Sequence, residues 1–211
     1  RCTSSAASDV YKRQLKLLGT LTFFLTVFPI TAIAFLIEHL LLNFNYGFVI
    51  QALLIWPFLA TKSLYTHVKD VADALDKKDL IASRAALSKI VGRDLTNSDE
   101  HTICSGAIES LSENTSDGVI APLFWAFLFG LPGIVFYKAI NTLDSIVGYK
   151  NDKFLNFGWF SANADDFVNW VPARLSSILF CALTLKPIKT FLFSLKNAKA
   201  STSPNAGWPQ A

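Results

Sequence analysis

The sequence predicts an all-α integral membrane protein, with several helical spans, a polar helical segment between them and one broken or re-entrant helix. Three observations lead there. Of 211 residues, 52% are hydrophobic and 17% charged, against roughly 45–50% and 25% in soluble domains, and mean hydropathy is +0.38. Uncharged runs at residues 17–37 and 40–61 each have the length a bilayer demands, about 20 apolar residues. Finally, no stretch alternates with the two-residue period of a strand, and no internal repeat or low-complexity tract is present.

The opening "RCTSSAASDVYKRQ" differs in composition from the rest of the chain, which contains no Met. Residues 1–14 are therefore expected to be a non-native leader, leaving 15–211 as a single membrane domain. The run at 17–37 exceeds the roughly 7–15 residues of a signal-peptide core, and Glu38-His39 succeeds it instead of a small-residue cleavage site. A retained span is expected. Pro29 and Pro57 are expected to kink the first two runs.

The 39–46 connection has no Lys or Arg, whereas 62–93 carries Lys62, Lys69, Lys77, Lys78, Arg84, Lys89 and Arg93. The positive-inside rule places this second segment, 62–118, in the cytoplasm. The tail with Lys186, Lys189, Lys196 and Lys199 obeys the same rule. Within 62–118, "SLYTHVKDVADALDKK" aligns Leu64, His67/Val68, Val71 and Leu75 on one helical stripe. "DLIASRAALSKIVGRD" predicts a second helix opened by Asp79 and stopped at Gly92. A third, about 101–113, is opened by Ser98 or Asp99 and closes near 114–118.

A third apolar run, 119–137, is interrupted by Gly130-Leu131-Pro132-Gly133, and Gly and Pro break helices. A hairpin is favoured over a full crossing, because it keeps the polar clusters on either side of the run on one face of the membrane. The fourth run, 167–185, is apolar apart from Arg174. The chain stops at "SPNAGWPQA" without a terminating element and is read as C-terminally truncated.

Several chemistries are excluded. Cys2, Cys104 and Cys181 are scattered, with no paired spacing for a disulfide framework or zinc site. A net charge of +3 is too small to argue for nucleic acid. There is no GxxxxGK[ST], GxGxxG or HExxH, and no GxSxG elbow.

What remains is acidic and amide-rich. Glu109, Glu113 and Asp117 recur every four residues beside a membrane run. On a solvated face such a row is merely mildly repulsive, but near lipid it calls for a metal ion or cationic partner. Asn114 adds a neutral amide beside them. Gly92-Arg93-Asp94 is either a local ion pair or an Arg fork presented to phosphate or carboxylate. "NTLDSIVGYK" supplies Asn141, Asp144, Ser145 and Lys150, while "ANADDFVNWVPAR" supplies Asp165, Asp166, Asn169 and Arg174. An Arg at a membrane boundary either snorkels to headgroups or marks a functional site. "SPNAG" at 203–207 is a turn of the kind that exposes backbone amides. Oxygen donors with two guanidiniums suit Mg²⁺-assisted handling of phosphates and carboxylates, without naming a reaction.

In combination, "AIESLSENTSDGVIAPLFW", "NTLDSIVGYKN", "FGWFSANADDFVNWVPARL" and "SPNAGWPQA" resemble the adenosylcobinamide-phosphate synthase family of cobalamin biosynthesis, in the family's order and over nearly everything from residue 15. The resemblance implies a multi-pass enzyme of the bacterial inner membrane with a cytoplasmic active site. It would join (R)-1-aminopropan-2-ol or its O-phosphate to a propionate of adenosylcobyric acid, consuming ATP with Mg²⁺. It implies catalytic roles for Glu109, Glu113, Asp117, Asp144 and Asp166, and metal ligation by Glu113, Asp117, Asp165 and Asp166. Substrate contacts would come from Arg93, Asp94, Asn114, Ser145, Asn169, Arg174, Ser203 and Asn205. Expected partners are the corrinoid, the amine, the lipid bilayer and other membrane enzymes of the pathway, with no nucleic acid. The chain departs from the family pattern at Asn163, where an Arg is usual, and at "AKAST", where a basic or His residue is common. Two other readings stay open: a non-enzymatic membrane sensor of the AmpE type on the same scaffold, and an ion-coupled transporter.

Overall fold

The structure is a computed structural model that describes residues 2–148, 154–198 and 203–210. Lys150, Lys199 and the departure at 199–202 lie outside the described residues, as does the side chain of Cys2. The described chain is helical, with no strand among its elements. Helices α1 (Cys2–Leu41), α2 (Gly47–Ile55), α3 (Thr61–Asp76), α4 (Leu80–Leu87) and α5 (Glu100–Thr115) are succeeded by α6 (Ala121–Val147), α7 (Trp159–Val168), α8 (Trp170–Ala182), α9 (Pro187–Asn197) and α10 (Gly207–Gln210). Among the described residues three stretches are long and apolar enough to cross a membrane: Asp9–Leu41, Gly47–Asp76 and Glu100–Val147. The chain divides into two compact units, Arg1–Phe58 with Pro122–Trp170 and Leu59–Ala121 with Val171–Ala211.

In the first unit α1 runs without interruption through the apolar run and back into the leader, with Pro29 inside it. One stripe, Phe23, Val27 and Ala34, is buried, while Leu17, Leu25, Phe28 and Phe35 stand exposed. Apolar exposure on this scale marks a surface that meets something other than water, and the length of α1 identifies it as lipid. Phe23 and Phe24 pack on Phe160 with ring centroids 4.8 and 5.3 Å apart. The 40–61 run is not a single helix. "NFNYG" turns the chain at 43–47, as Asn and Gly favour, α2 restarts at Gly47, and Pro57 lies in a 3₁₀ turn, Trp56–Phe58.

The expected break in the third run is present, and it reverses the chain. Phe129 (φ −137°, ψ 17°) and Gly130 (φ 62°, ψ −144°) leave the helical region within α6. On a straight helix Trp125 and Phe136 would be about 16 Å apart. Their rings are 6.0 Å apart, edge to face, and Gly133 lies directly against the Trp125 carbonyl. The two halves of α6 are therefore packed side by side. Glu38 of α1 stabilises the turn: its Oε1 accepts from the Leu131 amide at 3.1 Å and from Gln51 Nε2 of α2. That amide opens the second half of α6, where no intrahelical acceptor exists.

In the second unit, α3, α4 and α5 enclose a core of Val71, Ala86, Leu87, Leu95, Ile103 and Ala107. Asp79 caps α4, accepting from the Ala82 amide at 2.9 Å, and Asp99 caps α5 through the Thr102 amide at 2.9 Å. Both obey the capping preference of short oxygen side chains. Two endings differ from expectation. Helix α4 stops at Leu87, ahead of Gly92. Helix α5 does not close near 114–118 but continues through a π turn, Ser116–Ile120, into α6.

The fourth run also differs. It is not one spanning helix: α7 ends at Val168, and α8 has 13 residues. Asn169 is turned inward by hydrogen bonds to Tyr137 and Asp165, and Pro172 sits in the first turn of α8, where its missing N–H costs nothing. Helix α8 buries Ala173, Ser176, Ser177 and Cys181. Ser176 donates to Ser116 Oγ at 3.0 Å, and the Ser177 and Ser194 hydroxyls are 2.8 Å apart.

Candidate functional site

In the first unit the second half of α6 and helix α7 face each other through polar side chains. Tyr137, Asn141 and Asp144 are spaced four and three apart, one stripe of a helix. Asp165 and Asn169 make the matching pair near the end of α7. Asn141 Nδ2 donates to Asp165 Oδ1 at 3.2 Å, and Asn169 Nδ2 donates to Asp165 Oδ2 at 2.9 Å. Tyr137 Oη donates in turn to Asn169 Oδ1 at 2.9 Å. Tyr137 is 0% and Asn169 2% exposed, so each needs an internal partner and the chain of bonds supplies it.

Burial pushes the Asp165 carboxyl above its ordinary range, the two asparagine hydrogen bonds pull it down, and the Asp166 charge and Lys138 act weakly in opposite directions. Asp144 stands within electrostatic reach of Asp165 and Asp166. Asp166 is exposed beside this network. Ser145 instead turns its hydroxyl to its own helix, donating to the Asn141 carbonyl at 2.8 Å.

The second unit holds the remaining candidates. Arg93 Nη2 lies 3.3 Å from Glu109 Oε2, with the two side chains 47% and 48% exposed. The Arg93 guanidinium rests on Gly106, where any side chain would displace it. Arg93 thus pairs with α5, not with its neighbour Asp94. Asp94 closes the loop locally, accepting from the Thr96 hydroxyl at 2.6 Å and the Thr96 amide at 3.0 Å, and these bonds hold its carboxyl below the ordinary range.

Glu113 Oε2 accepts from Gln210 Nε2 at 3.4 Å. Asn114 Nδ2 donates to the Ser110 carbonyl at 2.8 Å and to Ser110 Oγ at 3.1 Å. Asp117 falls inside the π turn, so the regular four-residue acidic row ends at Glu113; π turns of this kind recur at functional sites. Arg174 donates to Asn205 Oδ1 at 3.4 Å, with its guanidinium 4.8 Å from the centre of the Trp208 ring. Ser203 Oγ accepts from the Asn205 and Ala206 amides at 3.3 and 3.2 Å, so those two amides are engaged within the turn.

Three participants escaped sequence reasoning. Tyr137 read as the apolar end of the third run, although its four-residue spacing to Asn141 was a usable signal. Glu38 and Gln51 gave none, because only the folded chain brings them to the break at Gly130. Among the described residues no three His, Cys, Asp or Glu side chains group closely enough to cage a metal. The donors are nevertheless of the right kind for Mg²⁺, which favours oxygen and is usually held by one or two carboxylates together with water and substrate phosphates.

The chain is 47% identical over 165 residues to the cobalamin biosynthesis protein CobD of Rhodobacter capsulatus, covering 78% of this chain and 52% of that protein. It is 48% identical over 171 residues to the cobalamin biosynthesis protein CobD of a Sinorhizobium species, covering 78% and 53%. Against the protein of that name from Halalkalibacterium halodurans identity is 46% over 178 residues, covering 82% and 54%. The chain therefore spans about half the length of the curated relatives it matches. No solved structure matches it. The sequence model described as CobD/Cbib protein matches residues 1–211, and the chain belongs to that family.

Proposed function

We propose that the chain is part of a cobalamin-biosynthetic amide synthase, joining (R)-1-aminopropan-2-ol or its O-phosphate to a propionate of adenosylcobyric acid at the expense of ATP. The bacterial inner membrane holds it, with the site on the cytoplasmic side. The buried chain from Tyr137 through Asn169 to Asp165 carries this reading. Polar and ionisable side chains hydrogen-bonded to one another inside a membrane protein are a functional-site hypothesis by default.

A carboxylate resists attack by an amine because its carbon bears no leaving group. In the proposed reaction a propionate oxygen attacks the γ-phosphorus of ATP, the bond to the β-phosphate oxygen breaks, and ADP leaves. The amine nitrogen then attacks the acyl carbon, the single bond from that carbon to the phosphate oxygen breaks, inorganic phosphate departs with its electron pair, and the nitrogen gives up its proton. One carboxylate among Glu109, Glu113, Asp117, Asp144 and Asp166 accepts that proton. Arg93 and Arg174 contribute guanidinium forks for phosphate or the substrate carboxylate, and Ser145, Ser203 and Asn205 contribute polar contacts. Mg²⁺, held by Glu113 and Asp117 of the second unit or by Asp165 and Asp166 of the first, would supply neutralisation of the triphosphate charge.

The test is to incubate the full-length protein in detergent with adenosylcobyric acid, aminopropanol or its phosphate, ATP and Mg²⁺, monitoring the corrinoid amide by chromatography. Product is expected with one of the amines, and none from a folded protein would end the proposal. Glu113→Gln should lower turnover by about 100-fold or more while inserting normally into membranes. Wild-type turnover would remove Glu113 from the site.

A further inference from the structure

Helix α9 of the second unit turns one face inward and two outward. Ser194 and Ala198 are buried; the Ser194 hydroxyl lies 2.8 Å from that of Ser177 on α8 and donates to the Trp208 carbonyl at 3.3 Å. At 3.6 residues per turn, Ile188, Leu192 and Leu195 form a second stripe within about 60° of arc, and all three are exposed. Lys189 and Lys196, seven residues apart, fall on a third line about 40° beyond Leu192 and are exposed as well. Neither forms an ion pair with a described residue. The helix has 11 residues, about 16 Å of length, roughly half the hydrocarbon thickness of a bilayer. It cannot cross one.

Charge identifies what covers the outer faces. From 167 to 211 the sequence carries Arg174, Lys186, Lys189, Lys196 and Lys199 and not one Asp or Glu. We infer that α9 lies in the plane of the membrane and binds anionic phospholipid, with its apolar stripe among the upper acyl chains and Lys186, Lys189 and Lys196 on the headgroup phosphates. A short helix with leucine and isoleucine on one side and lysine beside them has the make-up of an interfacial anchor. The aliphatic stems of the lysines lie along the apolar stripe while the ammoniums reach the headgroups. Another apolar helix would cover Ile188 and Leu192 but leave the lysine row without counter-charge. A zwitterionic lipid would do the same, whereas each lysine near an anionic surface contributes about fivefold in affinity. Lipid contact is independent of amide synthesis and is read without corrinoid or ATP.

The test uses the full-length protein in nanodiscs, with its native cysteines replaced and Leu192→Cys carrying a bimane label. Phosphatidylcholine and phosphatidylglycerol, each brominated near the carbonyl end of the acyl chain, are titrated separately as quenchers. Quenching by both is expected, with phosphatidylglycerol effective at an about fivefold or more lower mole fraction. The triple variant Lys186→Gln, Lys189→Gln, Lys196→Gln should lose that preference and keep the quenching by phosphatidylcholine. All three lysines are exposed, so the variant stays folded. Absence of quenching by either lipid would mean that protein covers the stripe and would overturn the proposal. Equal quenching by the two lipids, or a preference that survives in the triple variant, would overturn it too.

Discussion

Replacing Tyr137 by Phe removes a single oxygen and nothing else. In the folded protein that oxygen donates to Asn169 Oδ1 at 2.9 Å, with both residues essentially sealed from solvent. The substitution leaves a buried acceptor unsatisfied, which costs about 1–3 kcal/mol in protein interiors, whereas hydrogen bonds between membrane helices average nearer ~0.6 kcal/mol. A loss of about 1–2 kcal/mol is expected, with no cavity contribution because the ring is retained. The assay is equilibrium unfolding in mixed micelles, run as a double-mutant cycle with Asn169→Ala. With Asn169 gone, the part of the Tyr137→Phe loss that passes through Asn169 Oδ1 is already absent, so the two effects should fail to add by roughly 1 kcal/mol. Stability of Tyr137→Phe within about 0.3 kcal/mol of wild type, or strict additivity, would refute the network as a stabilising unit.

Three further outcomes are expected. Burial raises the Asp165 carboxyl above its ordinary value of 3.8, so the folded state holds that proton more tightly than the unfolded chain. Its favourable contribution is complete below 3.8 and disappears as pH rises through the raised folded value. Asp165→Asn should therefore flatten the decline in stability as pH rises above 3.8, and an unchanged slope in pH-dependent unfolding would argue against it. Gly130→Ala should destabilise by about 2 kcal/mol or more, since φ is 62°, a left-handed conformation costing about 1–2 kcal/mol, and the new Cβ would strike Glu38 Oε1; thermal unfolding measures this. Arg93→Ala should alter stability by under about 1 kcal/mol, as expected for an exposed pair, while lowering turnover in the corrinoid assay at least about tenfold; a parallel loss of stability and activity would reduce Arg93 to a structural role.

Much of the local structure was legible because its causes are local. Asp79 and Asp99 cap helices for reasons contained within three residues. The break at Gly130 arises from a Gly-Leu-Pro-Gly sequence that cannot hold a regular ladder. Asp165 and Asn169, four apart, could be placed on one helix face by counting. The continuation of α5 through a π turn was not legible, since Ser116 is turned toward Ser176, a residue 60 positions away. The division of the fourth run was equally hidden: Asn169 ends α7 while bonded to Tyr137 of α6, a contact that no reading of 167–185 contains.

By itself, then, the sequence determined the class of protein, the caps of α4 and α5 and the break in α6, because hydropathy, capping and chain breaks act over one or two turns. Only the tertiary structure decided which polar groups pair. It gave Arg93 to Glu109 instead of Asp94, and Asp165 to two asparagines. It also set Glu38 against the break in α6, 93 residues further on. Each of these pairings meets one requirement: a polar group withdrawn from water must find its partner wherever packing brings one, however far away in the chain.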